Sequence, residues 1–403
     1  MSEIKPRYLV MVTASANNNK YYKQIPHGNG WTAEYGRVGS SPQRREYPMS
    51  QWDSKYNEKL RKGYVDQSEL VEDLISVEKP TKSEYKEIEN KAIADIVERL
   101  QSMARKAISD NYTISSNKVT QAMVDEAQDI LTSLINISDL QDFNDTLLKL
   151  FTTIPRKMGN VQGYLAKADK DFSKIIQKEQ DLLDVMKGQV VQKQIIDESV
   201  EEKPQNENTI LEHLGLVFEE CDANDIATIK NALGSCACNF HRAWKVINLK
   251  TQKRYDEFVK ENDIKNTKLL FHGSRNENWW SIISGGLVLK PTNAVITGKM
   301  FGYGIYYAPK ARKSMGYTSL NGYWTRENKP FGFMALMDVA YGKPYDVHSF
   351  DSKYYNFNYE RLQQSCPGAN CLHAHEGSML RNDEIIIYKE EQCTIHYLIE
   401  IRE

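Results

Sequence analysis

Between about residues 90 and 190 the apolar side chains recur at the helical period, while on either side they come in short runs broken by glycines and turn residues. Ile93, Ile96, Val97 and Leu100 form one stripe, and Val119, Met123, Ile130 and Leu134 a second. Leu147, Leu148 and Phe151 form a third ahead of Pro155, and a further segment runs from Asp169 to Met186. Stripes at this spacing are buried against other helices, so residues 90–195 predict a helical bundle. A bundle set between two strand-rich segments makes the chain α+β and multidomain, and 403 residues suffice for two or three cores. Polar stretches at 66–90, with Pro80, and from Glu198 to Asn208, with Pro204, read as linkers.

The segment ahead of the bundle, 1–85, is small and β-rich. Tyr8 to Val12, Tyr21 to Ile25 and Trp31 to Val38 read as strands separated by the turn clusters Asn17-Asn18-Asn19 and His27-Gly28-Asn29-Gly30. Ser50 and Asp53 predict a capped helix start, Trp52, Tyr56 and Leu60 share its apolar face, and Gly63 ends it. Residues 1–64 hold 11 Lys or Arg against 5 Asp or Glu, although the whole chain has a net charge of −2. A basic module on an acidic body suits a polyanion partner for the module, the alternative being an ordinary solvated charged surface.

The segment after the bundle, 205–403, is mixed α/β. Leu269 to Phe271, Gly304 to Ala308, Phe333 to Met337, Glu384 to Tyr388 and Tyr397 to Ile401 read as strands with few long helices between them, a mainly antiparallel sheet domain. Composition excludes a disordered or fibrous chain, with 40% hydrophobic residues and 23 tyrosines. No apolar run approaches the ~20 residues of a membrane span, no secretory signal follows Met1, and six cysteines are too few for a disulfide scaffold. A soluble intracellular protein with free thiols and no membrane partner is expected.

Three clusters in this last segment carry chemistry. Phe271-His272-Gly273-Ser274-Arg275 sets an imidazole at a strand end, next to a glycine that lets a ligand approach the backbone. Thr297 to Ala308, continuing to Lys313-Ser314 and Tyr317, joins glycines to adjacent tyrosines, a wall suited to a flat heterocycle. Asn382-Asp383-Glu384 puts carboxylates at the mouth of an apolar strand, where one can stabilise a cationic sugar. Successive strand residues face opposite sides, so Asp383 and Glu384 do not share a role. Cys366, Cys371, His373 and His375 form C-x4-C-x-H-x-H, zinc-capable residue types at a spacing unusual for structural zinc. The spacing leaves zinc binding undecided, and no metal is assigned there.

In this order the three clusters resemble the poly(ADP-ribose) polymerase catalytic domain, whose His, Tyr, Glu signature falls on His272, Tyr306 and Glu384. The helical segment, with Phe151-Thr152-Thr153-Ile154-Pro155, is similar to that family's helical regulatory domain. The N-terminal segment is similar to its WGR domain, with Tyr35-Gly36-Arg37 standing where the name-giving Trp-Gly-Arg would be. The resemblance implies an ADP-ribosyltransferase fold and NAD+ as co-substrate, held by His272, Gly273, Ser274, Arg275, Tyr306, Ser314 and Tyr317. His272 would bind the adenosine ribose, Gly273 and Ser314 the nicotinamide amide, Tyr317 and Tyr306 the ring faces, and Glu384 the reacting ribose. It further implies DNA ends or breaks as partner of Tyr35, Arg37, Lys20, Lys23, Arg44 and Arg45, in DNA damage response and repair. Protein acceptors, including the chain itself, would take ADP-ribose in a nuclear setting if the source is eukaryotic and a cytoplasmic one if prokaryotic. Mono- or oligo-ADP-ribosylation, or a silent DNA-end binder on the same fold, are the alternatives.

Overall fold

A computed structural model of the chain describes residues 4–68, 85–112, 119–199, 208–289, 300–325, 327–377 and 380–403. The chain makes two units, Met1–Ser83 with Arg105–Val190, and Glu84–Ala104 with Val191–Glu403. Most of both expected linkers lies outside the described residues, as do Thr297, Gly298 and Lys299.

In the first unit, β1 (Arg7–Thr13), β2 (Asn18–His27), β3 (Gly30–Arg37), β4 (Gln43–Pro48) and β5 (Val65–Asp66) form an antiparallel sheet in the order β4-β3-β2-β1-β5. The helix α1 (Trp52–Arg61) packs on it through Trp52, which meets Trp31 edge-on at 5.5 Å, while Tyr47 stacks on Trp31 at 4.7 Å. Leu9, Tyr22 and Ala33 complete this core. Each large side chain buried here contributes ~2 kcal/mol. The expected Ser50 cap does not form. A 3-10 turn, Met49–Gln51, precedes α1, Gln51 stands at the N-cap without a side-chain bond, and Asp53 pairs instead with Arg7 at 2.8 Å. Gly63, at φ +84°, follows the helix as expected.

The helical segment contains α2 (Lys91–Asn111), α3 (Gln121–Leu134), α4 (Leu140–Thr153) and α5 (Phe172–Ser199). Thr120 caps α3 and Asp139 caps α4, each accepting from backbone N–H groups of the first turn. The stripes read from sequence supply the buried residues, among them Met123, Leu134, Leu147 and Phe151. Phe143 and Phe172 stack face to face at 3.8 Å. Arg156, just past α4, is buried and pairs with Glu179 of α5 at 3.1 Å, while its carbonyl accepts from Asn19 of β2.

The second unit opens with the N-terminal turns of α2. It continues through α6 (Ile210–Leu214), β6 (Leu216–Glu220), α7 (Ala223–Leu233), β7 (Phe240–Asn248), α8 (Leu249–Glu261), β8 (Lys268–Gly273) and α9 (Trp279–Gly285). Beyond these come β9 (Ile305–Tyr307), α10 (Ala311–Met315), β10 (Phe331–Val339), β11 (Pro344–Val347), α11 (Tyr359–Ser365), β12 (Cys371–Ala374), β13 (Glu384–Ile387) and β14 (Cys393–Arg402). One sheet runs β6-β7-β14-β10-β8 and is antiparallel throughout, and the other runs β11-β12-β13-β9 with only β11 and β12 parallel. A two-bond bridge between Phe271 and Ala308 ties the end of β8 to β9. This bridge positions the site. Arg99 of α2 grips the fully buried Glu400 of β14 with two hydrogen bonds of 3.0 and 3.1 Å.

Candidate active site

Three strand ends and one short helix of the second unit converge. The Phe271–Ala308 bridge brings His272 beside β9, where its Nδ1 lies 3.1 Å from the Tyr306 carbonyl. Strand β9 pairs with β13, Tyr306 opposite Ile386, which carries the register up to Glu384 at the strand's start. Helix α10 packs behind β8, with the Ser314 hydroxyl donating to the Phe271 carbonyl at 3.1 Å. The approach there is close enough that a Cβ on Gly273 would lie 2.0 Å from the Ser314 carbonyl oxygen, so only glycine fits.

Glu384 is 5% exposed, and one of its oxygens pairs with the Lys313 ammonium of α10. Its Oε2 is buried with no hydrogen-bond partner among the described residues. Burial pushes the Glu384 carboxyl up, and Lys313 pulls it only part of the way back. Burial likewise lowers Lys313, a shift that Glu384 only partly offsets. Tyr306 and Tyr317 are both raised, by burial first and further by the negative charge of Glu384, and strand register puts Glu384 on the same face of β13 as Ile386, the partner of Tyr306. Trp324 stacks on Tyr317 at 6.0 Å and extends the aromatic wall.

Tyr306 also has a structural duty, because its hydroxyl donates to the Gly302 carbonyl at 2.9 Å and accepts from the Phe301 N–H at 3.0 Å. Gly302, at φ +70°, presses so tightly on Phe357 that a Cβ would sit 2.1 Å from the Phe357 carbonyl oxygen. Gly302 and Gly304, whose Cβ would lie 2.1 Å from Ile386 Cγ2, are thus packing glycines. Ser274 accepts from Asn278, and Arg275 reaches the Thr325 carbonyl at 3.3 Å and Glu327 at 3.7 Å, so both brace the loop after β8. Asp383 turns away from Glu384, taking the His373 ring at 3.1 Å and the Glu376 N–H at 2.7 Å. Lys313 is the partner that sequence reasoning left without a role. Its position next to Ser314 was the available signal.

The residues expected to contact nucleic acid lie in the sheet of the first unit, and they do not share one face. Strand register puts Lys20, Tyr35, Arg37 and Arg45 on the side of Tyr22 and α1, and Lys23 and Arg44 on the other side. Between the latter two stands Glu34, 3.6 Å from Lys23 and 3.0 Å from Arg44, which offsets part of their charge. Tyr35 packs against the core beside Tyr22, with ring centroids 6.0 Å apart. The Arg37 guanidinium donates to the carbonyls of Asn17, Met158 and Gly159 at 2.9, 3.0 and 2.7 Å. Lys20 and Arg45 are exposed, Arg45 lying over the Tyr47 ring.

A model of the poly(ADP-ribose) polymerase catalytic domain matches residues 223–403, the span that contains every residue of this constellation. Uncharacterized protein 101L of Invertebrate iridescent virus 6 is 31% identical over 232 residues, covering 56% of this chain and 93% of that protein. The chain belongs to the poly(ADP-ribose) polymerase family. The polymerase-like protein 100L of the same virus is 28% identical over 187 residues and covered to 97% of its length. Poly [ADP-ribose] polymerase 2 of Arabidopsis thaliana aligns with 96% of this chain at 21% identity, and the alignment covers 71% of the plant protein. The catalytic domain of this family takes NAD+ as substrate, and the chain is accordingly an NAD+ ADP-ribosyltransferase. No helix among the described residues is long and apolar enough to cross a membrane.

Proposed function

We propose that the chain is a poly(ADP-ribose) polymerase that responds to DNA breaks, organised as a WGR-like module at 1–85, a helical regulatory segment at 90–195 and the transferase at 205–403. The observation that carries the catalytic half is Glu384, a buried carboxylate with one oxygen on Lys313, the other without a partner among the described residues, and a charge that both Tyr306 and Tyr317 feel. His272 would hold the adenosine ribose, the Gly273 backbone and Ser314 hydroxyl the carboxamide, and Tyr317 the nicotinamide ring. The nicotinamide ring is already cationic while bonded: the C1′–N bond breaks with its electron pair going to the ring nitrogen, which leaves neutral. The site therefore needs orientation and one anion near the sugar rather than a leaving-group acid. The acceptor hydroxyl oxygen then bonds to C1′ and passes its proton to the Glu384 carboxylate or to water, with Glu384 aligning the hydroxyl.

The regulatory half rests on the basic sheet and on Arg37. A DNA end would be read through phosphates without sequence preference, by the exposed side chains of Lys20 and Arg45. Arg37 links that strand to the turn at residues 158–159 of the helical segment. A shift there would change helical packing and with it the population of a substrate-accessible state. The deciding assay is NAD+ turnover with and without nicked or blunt DNA. Equal rates reject DNA control and leave the transferase standing, while no nicotinamide release under any condition rejects the enzyme for a silent DNA-end binder. A ladder of automodified product supports polymer formation, and a single shifted band supports mono- or oligo-ADP-ribosylation.

A further inference from the structure

Strands β11 and β12 run parallel, with Asp346 directly opposite His373. Side chains two apart on a strand share a face, so His348 joins Asp346 and His375 joins His373 on one side of this sheet edge. The His373 and His375 rings stack at 4.0 Å, and His348 stacks on His375 at 4.4 Å. The Asp346 carboxylate lies 2.7 Å from His375 Nε2 and 3.9 Å from His373 Nδ1, and one donor atom from each of the three residues falls within 4.8 Å of the others. The two cysteines that share the sequence motif play no part in this group. Cys371 is fully buried on the same strand, and Cys366 packs with the apolar cluster around Phe357.

We propose that Asp346, His373 and His375 form a binding site for a divalent first-row transition metal ion of the zinc type. Two imidazoles and a carboxylate favour such an ion over calcium or magnesium, which take oxygen donors. An independent observation points the same way. His373 Nε2 lies 3.1 Å from Asp383 Oδ2, and a carboxylate can only accept, so Nε2 carries the proton and Nδ1 keeps its lone pair on the Asp346 side. This is the carboxylate–histidine–metal arrangement in which an outer carboxylate fixes the tautomer and raises the basicity of the ligand. The Tyr341 hydroxyl, 2.8 Å from Nδ1, now donates to that lone pair and would be replaced there by the ion. Zinc bonds of ~2.0 Å set donors a little over ~3 Å apart, so separations of 2.7 and 3.9 Å need only even out. Asp346 is half exposed, which leaves the remaining coordination positions to water. Because Asp383 directly precedes Glu384, an ion here would stiffen the start of the strand that carries the reacting carboxylate.

The test is a Co2+ titration of the purified full chain followed by Zn2+ competition, with visible absorption as the readout. The expected result is one saturable site per chain in the micromolar range or tighter, showing d–d bands without a thiolate charge-transfer band. His375→Ala and Asp346→Asn, both at solvent-accessible positions, should each weaken it roughly tenfold or more with the metal-free melting temperature unchanged. Asp383→Asn should weaken it by ~10–100-fold, as loss of an outer carboxylate does, and Cys366→Ser should leave it unaltered. Absence of saturable binding in the micromolar range, binding indifferent to both His375→Ala and Asp346→Asn, or a charge-transfer band lost in Cys366→Ser would each overturn the proposal.

Discussion

Gly273→Ala tests whether the close approach of β8 and α10 builds the pocket. The added Cβ would meet the Ser314 carbonyl oxygen at 2.0 Å and its carbonyl carbon at 2.9 Å, both backbone atoms with no rotamer to turn away. Carbon contacts settle at ~3.5 Å, so β8 and α10 must part by more than about 1 Å. Gly273 is absent from the glycines at positive φ, so the effect comes from the contact alone and not from backbone strain. Overpacking of this kind costs ~1–3 kcal/mol. A shift of ~1 Å between groups that align a substrate costs on the order of 100-fold in rate. Loss of kcat/KM for nicotinamide release should therefore far exceed what the melting temperature reports. Steady-state release from NAD+, set beside calorimetric unfolding of the same sample, separates the two. A variant with turnover within about twofold of the parent would refute the claim that this contact sets the pocket's width.

Glu384→Gln keeps the shape and removes the charge. Nicotinamide release should fall by ~100-fold or more, as when one stabilising group at a developing charge is lost, and product on a gel should stop growing while nicotinamide still binds by calorimetry. Lys313→Met removes the ammonium that holds Glu384 down, so the carboxyl rises further. Activity requires the ionised form, so the acidic limb of the kcat/KM profile should move to higher pH, and an unmoved limb would show that Glu384 does not titrate in it. Glu400 is raised by burial, but hydrogen bonds from Arg99 and Arg402 outweigh this and hold it below its ordinary value. A carboxylate lowered in the folded state contributes stability above its unfolded value and loses it as pH falls. Arg99→Met should thus cost ~1–2 kcal/mol at neutral pH, discounted for the partial exposure of Arg99, and flatten the loss of stability on acidification, both read by calorimetric unfolding across pH.

Much of the architecture could be read from local pattern. The helical stripes became α2 to α5, and the runs Leu269 to Phe271, Phe333 to Met337 and Tyr397 to Ile401 became β8, β10 and β14. Strand β4, Gln43–Pro48, escaped because Gln-Arg-Arg-Glu carries no apolar alternation. It is an edge strand whose side chains, Tyr47 excepted, face solvent, so burial imposed no repeating pattern on it. Ser50 misled as a cap because Pro48 starts the turn earlier, and that turn satisfies the backbone without a side chain. At the site, residue identity marked His272, Tyr306 and Glu384, but their meeting depends on the Phe271–Ala308 bridge and on the β9–β13 pairing, which no local signal reports. Asp346 was invisible for the same reason, since a parallel pair has no hairpin to fix its register. The basic N-terminal charge was plain in the sequence. Its distribution over two faces, and its offset by Glu34, required the register of β2, β3 and β4.

Among the described residues no group donates to the buried Oε2 of Glu384. A buried acceptor without a donor costs ~1–3 kcal/mol, a debt that a ribose hydroxyl can cancel, whereas the amide N–H of nicotinamide is taken up by the Gly273 backbone in the proposed pose. Nicotinamide riboside should accordingly raise the melting point more, at matched occupancy, than its added surface alone would explain, and that surplus should vanish when the oxygen at position 384 becomes an amide.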